Sequence, residues 1–177
     1  LKIGHSYFPP MSNLRRYYTP GNLYFVTHVT IDRMPILVQN ADLLMIAFER
    51  ALQRFDVEML AWVILPDHLH LIVDPKMHDL SKVMKIIKQD FGLQYRQRIG
   101  VRTGRVWQLR FWDHIIRDQE DMNRHLDYIH YNPVKHGYAK APADYAHSSF
   151  SQYVADGLYQ KDWGTMDKID VDGEFGE

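Results

Sequence analysis

Between residues 57 and 75 the chain reads VEMLAWVIL, Pro66-Asp67, HLHLIVDP: two apolar runs on either side of a turn signal. Runs of this length and composition around a Pro-Asp pair predict a strand–turn–strand hairpin. Side chains of a strand alternate between faces. His68, His70 and Ile72 therefore share one face, and Leu69, Leu71 and Val73 share the other. A third strand is predicted over 23–32 (LYFVTHVTID), and 105–117 (RVWQLRFWDHIIR) can supply a fourth. Helical spacing governs the rest. Residues 41–55 place Leu44, Ala47, Phe48, Ala51, Leu52 and Phe55 on one face. Residues 80–99 turn Val83, Ile86, Ile87, Phe91 and Tyr95 inward, with Lys82, Lys85, Lys88 and Arg96 largely outward. A last helix over 118–137 opens at Asp118 as N-cap and ends at Pro133.

The resulting order, β-α-β-β-α-β-α, predicts the α+β class: a ferredoxin-like split βαβ unit with an antiparallel four-stranded sheet. In that topology the histidine strand is central, helices cover one face, and the leftover helix is free to cross the other.

Composition changes this picture little. A chain of 177 residues suits one domain with terminal appendages. The absence of cysteine excludes disulfides and thiolate ligands, and no apolar run approaches the ~20 residues of a membrane span. A cytoplasmic protein with no membrane association is expected. Residues 1–10 precede Met11 and read as an N-terminal extension, 11–163 as the domain, and 164–177 as an acidic tail. Residues 161–177 hold six acids against two lysines, so the near-neutral total of −1 conceals a body of about +3. An acidic tail beside a basic body raises the expectation that it competes with polyanions for that surface.

The histidine pair is the first candidate for chemistry. Two imidazoles on one strand face supply two ligands to a metal, with a third from elsewhere; alternatively they are buried side chains satisfied by hydrogen bonds. On the last helix Tyr128 and Asn132 stand four apart and His125 joins their face. Asn132 can equally be a helix-ending residue before Pro133, and Tyr128 a core aromatic. Spacing leaves both readings open.

DYIHYNPVKHG, together with LPDHLHLIV and WQLRFWDHIIR, resembles the REP-associated tyrosine transposases, relatives of the single-tyrosine insertion-sequence transposases with an HUH motif (His, bulky apolar residue, His). The likeness runs over roughly residues 12–163. It implies that His68 and His70 are the two histidines of HUH, Leu69 the bulky residue, Tyr128 the nucleophile and Asn132 a polar third ligand. It further implies Mg²⁺ or Mn²⁺, a 5′-phosphotyrosine intermediate, and single-stranded DNA hairpins (repetitive extragenic palindromes, REP) as partners. A metal-held water and His125 are both candidates for the base. A monomer and a homodimer are both compatible with the resemblance. For DNA contact the chain offers Arg15 and Arg16 beside Tyr17 and Tyr18, Arg105 and Arg110 among Trp107 and Trp112, and the lysines of the second helix. Two other functions compete: a hairpin-binding protein that does not cleave, and a nickase of the replication-initiator kind. A zinc hydrolase lacks an obvious carboxylate base near the histidines.

Overall fold

The computed structural model describes residues 22–165 together with Ile169, Val171, Gly173, Phe175 and Gly176. Its elements are β1 (Tyr24–Val29), α1 (Ala41–Phe55), β2 (Glu58–Ile64), β3 (His68–Asp74), α2 (Leu80–Arg98), β4 (Trp112–Ile115), α3 (Gln119–Lys135) and a short α4 (Phe150–Ala155). The four strands form one antiparallel sheet in the order β2-β3-β1-β4, so β1 and β3 are central, as the split βαβ topology requires.

Alternation along β3 and β1 divides the interior in two. Leu69, Leu71 and Val73, with Val26 of β1, face α1 and α2 and pack on Leu44, Phe48, Val83, Ile87 and Phe91. Phe25 and Ile72 point the other way and meet Leu126, Tyr128 and Ile129 of α3, which lies across β2 and β3. Caps start both long helices after the hairpin. Asp79 accepts from the amides of Ser81 (2.8 Å) and Lys82 (3.3 Å), and Asp118 from that of Asp121 (2.8 Å).

Three expectations need correction. The fourth strand covers Trp112–Ile115 instead of 105–117. Val106 and Trp107 are both buried, and consecutive inward side chains break the alternation a strand face demands. Only an isolated bridge from Trp107 to Thr30 joins that stretch to the sheet. Pro133 does not end α3, which runs to Lys135 with the His136 amide bonding to the Asn132 carbonyl at 3.0 Å. An internal proline forfeits one helical hydrogen bond, a cost of about 3 kcal/mol, and burial of Tyr131, Asn132 and Pro133 supplies the compensating contacts. The third is α4, absent from the sequence reading. Its six residues carry too short a pattern to register, yet Phe150 and Tyr153 anchor it, the Tyr153 hydroxyl donating to the Leu60 carbonyl at 3.1 Å.

The described residues of the acidic tail are not loosely placed. Val171 and Phe175 are buried with Ile116, Leu126 and Tyr128 on the α3 side of the sheet.

Candidate active site

The central position of β3 and the packing of α3 bring His68, His70, Tyr128 and Asn132 together in a buried cluster. The two imidazole rings lie 5.1 Å apart and nearly perpendicular. Tyr128 sets its ring 5.1 Å from that of His70, edge-on. One turn along α3, the Asn132 amide nitrogen is 3.4 Å from His70 Nε2.

The hydrogen bonds around the histidines decide which nitrogen carries the proton. Thr27 on β1 sits opposite His70, and its hydroxyl donates to the Phe175 carbonyl at 2.6 Å. That uses its one proton, so at 2.8 Å from His70 Nδ1 the same oxygen can only accept. His70 is therefore protonated on Nδ1 and presents a lone pair at Nε2. His68 Nδ1 is 2.7 Å from a carboxylate oxygen of Asp67, which fixes the same tautomer. Asp67 is itself held by Arg33 at 2.9 Å and by Thr30, whose amide and hydroxyl both donate to its carbonyl. Burial works against the Asp67 charge, but the bonds from His68 and Arg33 outweigh it and keep its carboxyl below the usual range. Each histidine thus has a partner on the side away from the site, the arrangement that orients metal-ligating imidazoles.

Phe175 lies over the tyrosine. Its ring stacks on that of Tyr128 with centroids 3.6 Å apart, and Lys135 places its ammonium 4.8 Å from the centre of the Tyr128 ring. Tyr128 is fully buried as a result. His136, just past α3, stands 5.4 Å from His68 and is exposed.

A second polar cluster adjoins the first. Asp121 accepts from His114 Nε2 (2.8 Å), the Arg117 amide (3.0 Å) and side chain (3.3 Å), and Arg124 (2.8 Å). Burial opposes its ionisation, yet these donors hold the carboxyl far below its ordinary value. His114, Asp121 and His125 have metal-ligand spacing, but the two guanidinium groups already neutralise the carboxylate and would repel a cation. His125 donates to the Asp121 carbonyl at 2.8 Å, and burial pushes its pKa down, so it is a neutral imidazole.

The remaining candidates fall elsewhere. Arg15 and Arg16 lie outside the described residues. Arg105 and Arg110 are on the α2 side of the sheet, away from the tyrosine, in the wall of an open groove.

Residues 22–132 match the family model described as "Transposase IS200 like". The chain belongs to this family. It is 37% identical over 176 residues to a Haemophilus influenzae protein named as a REP-associated tyrosine transposase, covering 93% of this chain and all of that one. It is also 37% identical over 156 residues to the REP-associated tyrosine transposase of Escherichia coli K12, covering 86% and 91%. A solved REP-associated tyrosine transposase bound to a REP hairpin superposes with a TM-score of 0.78 at 37% identity, covering 92% of this chain and 94% of its own. The α+β fold and the membership among REP-associated tyrosine transposases follow from these matches. Among the described residues no helix is long and apolar enough to cross a membrane.

Sequence reasoning about this transposase missed the residues that support the pair. Asp67 reads as half of a turn, Thr27 as one β-branched strand residue among several, and His136 carries no spacing signal. Phe175 had one available sign: Ile169, Val171, Gly173 and Phe175 interrupt the acids at every second position.

Proposed function

We propose that this protein cleaves and rejoins single-stranded DNA at REP-like hairpins, with Tyr128 as the nucleophile. The observation that carries the reading is the convergence of a phenol, two imidazoles of fixed tautomer and a buried amide on one face of the sheet, in a chain of this family. His68 and His70 would hold a divalent ion through Nε2. Asn132 would join them once its amide turns to present Oδ1 in place of the nitrogen. The donor set of two imidazoles and an amide oxygen suits Mn²⁺ or Mg²⁺. When bound, such an ion supplies Lewis-acid stabilisation of charge on the phosphoryl oxygens.

The rest is the work of this chain. The Tyr128 hydroxyl gives up its proton as its oxygen attacks phosphorus, a P–Oη bond forms, and the bond to the 3′ oxygen breaks. The 3′ oxygen leaves with the electron pair and takes a proton, giving a free 3′-OH and a 5′-phosphotyrosine. Because the ester energy is kept in that link, a 3′-OH can reverse the step without a nucleotide cofactor. Asp67 and Thr27 hold the imidazoles in place throughout, so little reorganisation is needed when charge develops. Lys135 holds its ammonium 4.8 Å from the centre of the tyrosine ring, where it would face the charge of an approaching phosphate. Tyr128 is fully buried, and Phe175, stacked on its ring, would shift as DNA comes in.

The test is a denaturing gel of full-length protein with labelled REP-type hairpin oligonucleotides and Mn²⁺ or EDTA. A metal-dependent covalent band that disappears in Tyr128→Phe, with hairpin binding retained, is the expected result. Binding without any adduct across the hairpins tested would replace this reading by that of a hairpin-binding protein.

A further inference from the structure

Because α3 continues through Pro133, one more side chain reaches the tyrosine face. Tyr128, Asn132 and His136 follow one another at intervals of four, about one turn each along the helix. The end of α3 is tightly built. The His136 amide bonds to the Asn132 carbonyl at 3.0 Å. Gly137 then turns left-handed (φ 74°), its amide donating to the Val134 carbonyl at 3.0 Å and that of Tyr138 to the Pro133 carbonyl at 2.8 Å. This pair of bonds is a Schellman closure, in which a glycine just beyond the cap reverses the chain. It fixes the backbone of His136 and returns Tyr138 against its ring, with centroids 6.1 Å apart and planes at 30°.

The imidazole on that cap stands to His68 much as His70 does. The His68 and His70 rings are 5.1 Å apart with planes at 81°; those of His68 and His136 are 5.4 Å apart at 75°. Two imidazoles on one ion, with bonds of ~2.1 Å, set their ring centres about 3.3 Å from it. For angles of about 90–110° between those bonds, the centres lie about 4.7–5.4 Å apart. Both pairs fall within that interval. His68 is the shared member, and Asp67 takes its Nδ1 proton, which leaves Nε2 to bind.

Burial separates the three. His68 and His70 are buried, whereas His136 is exposed. An ion held by the buried pair must meet a phosphate through an exposed rim, and His136 belongs to that rim.

We propose that His136 is an additional ligand of the divalent ion held by His68, His70 and Asn132. The inference rests on the reading of those three as a metal centre and adds a nitrogen donor to it. Its consequence is selectivity. A third imidazole strengthens binding of ions that accept nitrogen and does little for Mg²⁺, which prefers oxygen and keeps its waters. Mn²⁺ therefore gains on Mg²⁺, and Co²⁺ gains more than Mn²⁺.

Titration calorimetry of the full-length protein without DNA tests this with Mn²⁺ and Co²⁺, and with Mg²⁺ as competitor. His136→Ala is expected to lose about tenfold in Mn²⁺ affinity, a factor that even the outer partner of a ligating imidazole commands, and more for Co²⁺. Mg²⁺ affinity should barely move. The visible absorption of bound Co²⁺ should change in the variant, and added free imidazole should bring the native spectrum back. Circular dichroism should show the fold unaltered, because the deleted side chain is exposed. His70→Leu serves as the control that abolishes binding of all three ions. Identical affinities and Co²⁺ spectra in native protein and His136→Ala, with His70→Leu still unable to bind, would overturn the inference and leave the metal centre standing. A native protein that binds none of the ions would overturn both. A His136→Ala defect confined to hairpin affinity, with ion binding intact, would make His136 a DNA contact and likewise overturn the inference.

Discussion

On β3, Leu69, Leu71 and Val73 turn toward α1 and α2, while His68, His70 and Ile72 turn toward α3. The first side is a mainly apolar interior, with His28 buried against Trp107 and Phe111. On the second, β1, β3 and α3 bury Thr27, His68, His70, His125, His130 and Asn132. Burying polar groups gains little net stability and costs much if a partner is lost. A strand with period two therefore separates two tasks at single-residue resolution: one set of alternate residues stabilises the fold, and the other holds a constellation that stability alone would not select.

The largest expected effect lies on the apolar side. Leu71 is fully buried, so Leu71→Ala should cost about 3 kcal/mol from lost transfer energy and the cavity left behind. Urea unfolding followed by circular dichroism measures it. His70→Leu, one position away, keeps the volume and should cost about 1–2 kcal/mol, from the partner it takes from Thr27 and Asn132, while abolishing both Mn²⁺ binding and adduct formation. Equal destabilisation by the two would erase the distinction between the faces.

Asp121 marks where the polar side does carry stability. Asp121→Asn strips charge from a site with four donors and should cost about 2 kcal/mol at neutral pH. Its folded pKa lies below the unfolded value near ~4. The stabilisation is thus fully present above pH ~4 and fades as pH falls toward the folded value. Native and variant unfolding curves should converge on acidification. A gap that widened at low pH would contradict the sign.

How much of this was readable beforehand follows from the same periodicities. The bounds of α1 and the face shared by His68 and His70 came from spacing over many residues, where a local exception changes nothing. Tyr128 and Asn132 gained their meaning from resemblance, since a tyrosine and an asparagine one turn apart serve a core equally well. What escaped was set by tertiary contact. Thr27 matters because β1 happens to lie opposite His70, and Asp67 because its carboxylate folds back from the turn. Pro133 stays helical because it is buried together with Tyr131 and Asn132, and 105–111 is apolar and aromatic like a strand yet forms a groove wall, Val106 and Trp107 both turning inward.

Thr27→Val sharpens the comparison on a smaller scale. The hydroxyl serves His70 Nδ1 and the Phe175 carbonyl together, so its loss strands two buried groups at a cost of about 1–2 kcal/mol. More tellingly, it frees His70 to change tautomer. Mn²⁺ affinity, read by titration calorimetry, should fall about tenfold, as is usual when the outer partner of a ligating imidazole is removed. Thr27→Ser should retain both properties. A valine variant with unchanged affinity would mean that strand packing alone orients the ring.

The smallest change concerns the contact that ties the tail to the polar face. Phe175→Leu keeps an apolar cover on Tyr128 and removes the stacked ring at 3.6 Å, a term worth about 1 kcal/mol. If Phe175 must leave before DNA arrives, the covered state is favoured by that much less, and the accessible state is populated about fivefold more. The initial rate of adduct formation at subsaturating hairpin should rise by that factor, while global stability shifts by no more than the stacking term. A rate left unchanged would mean that Phe175 moves freely at no cost. The tail would then be packing for the second core, and the polar face would be as open to DNA as its chemistry requires.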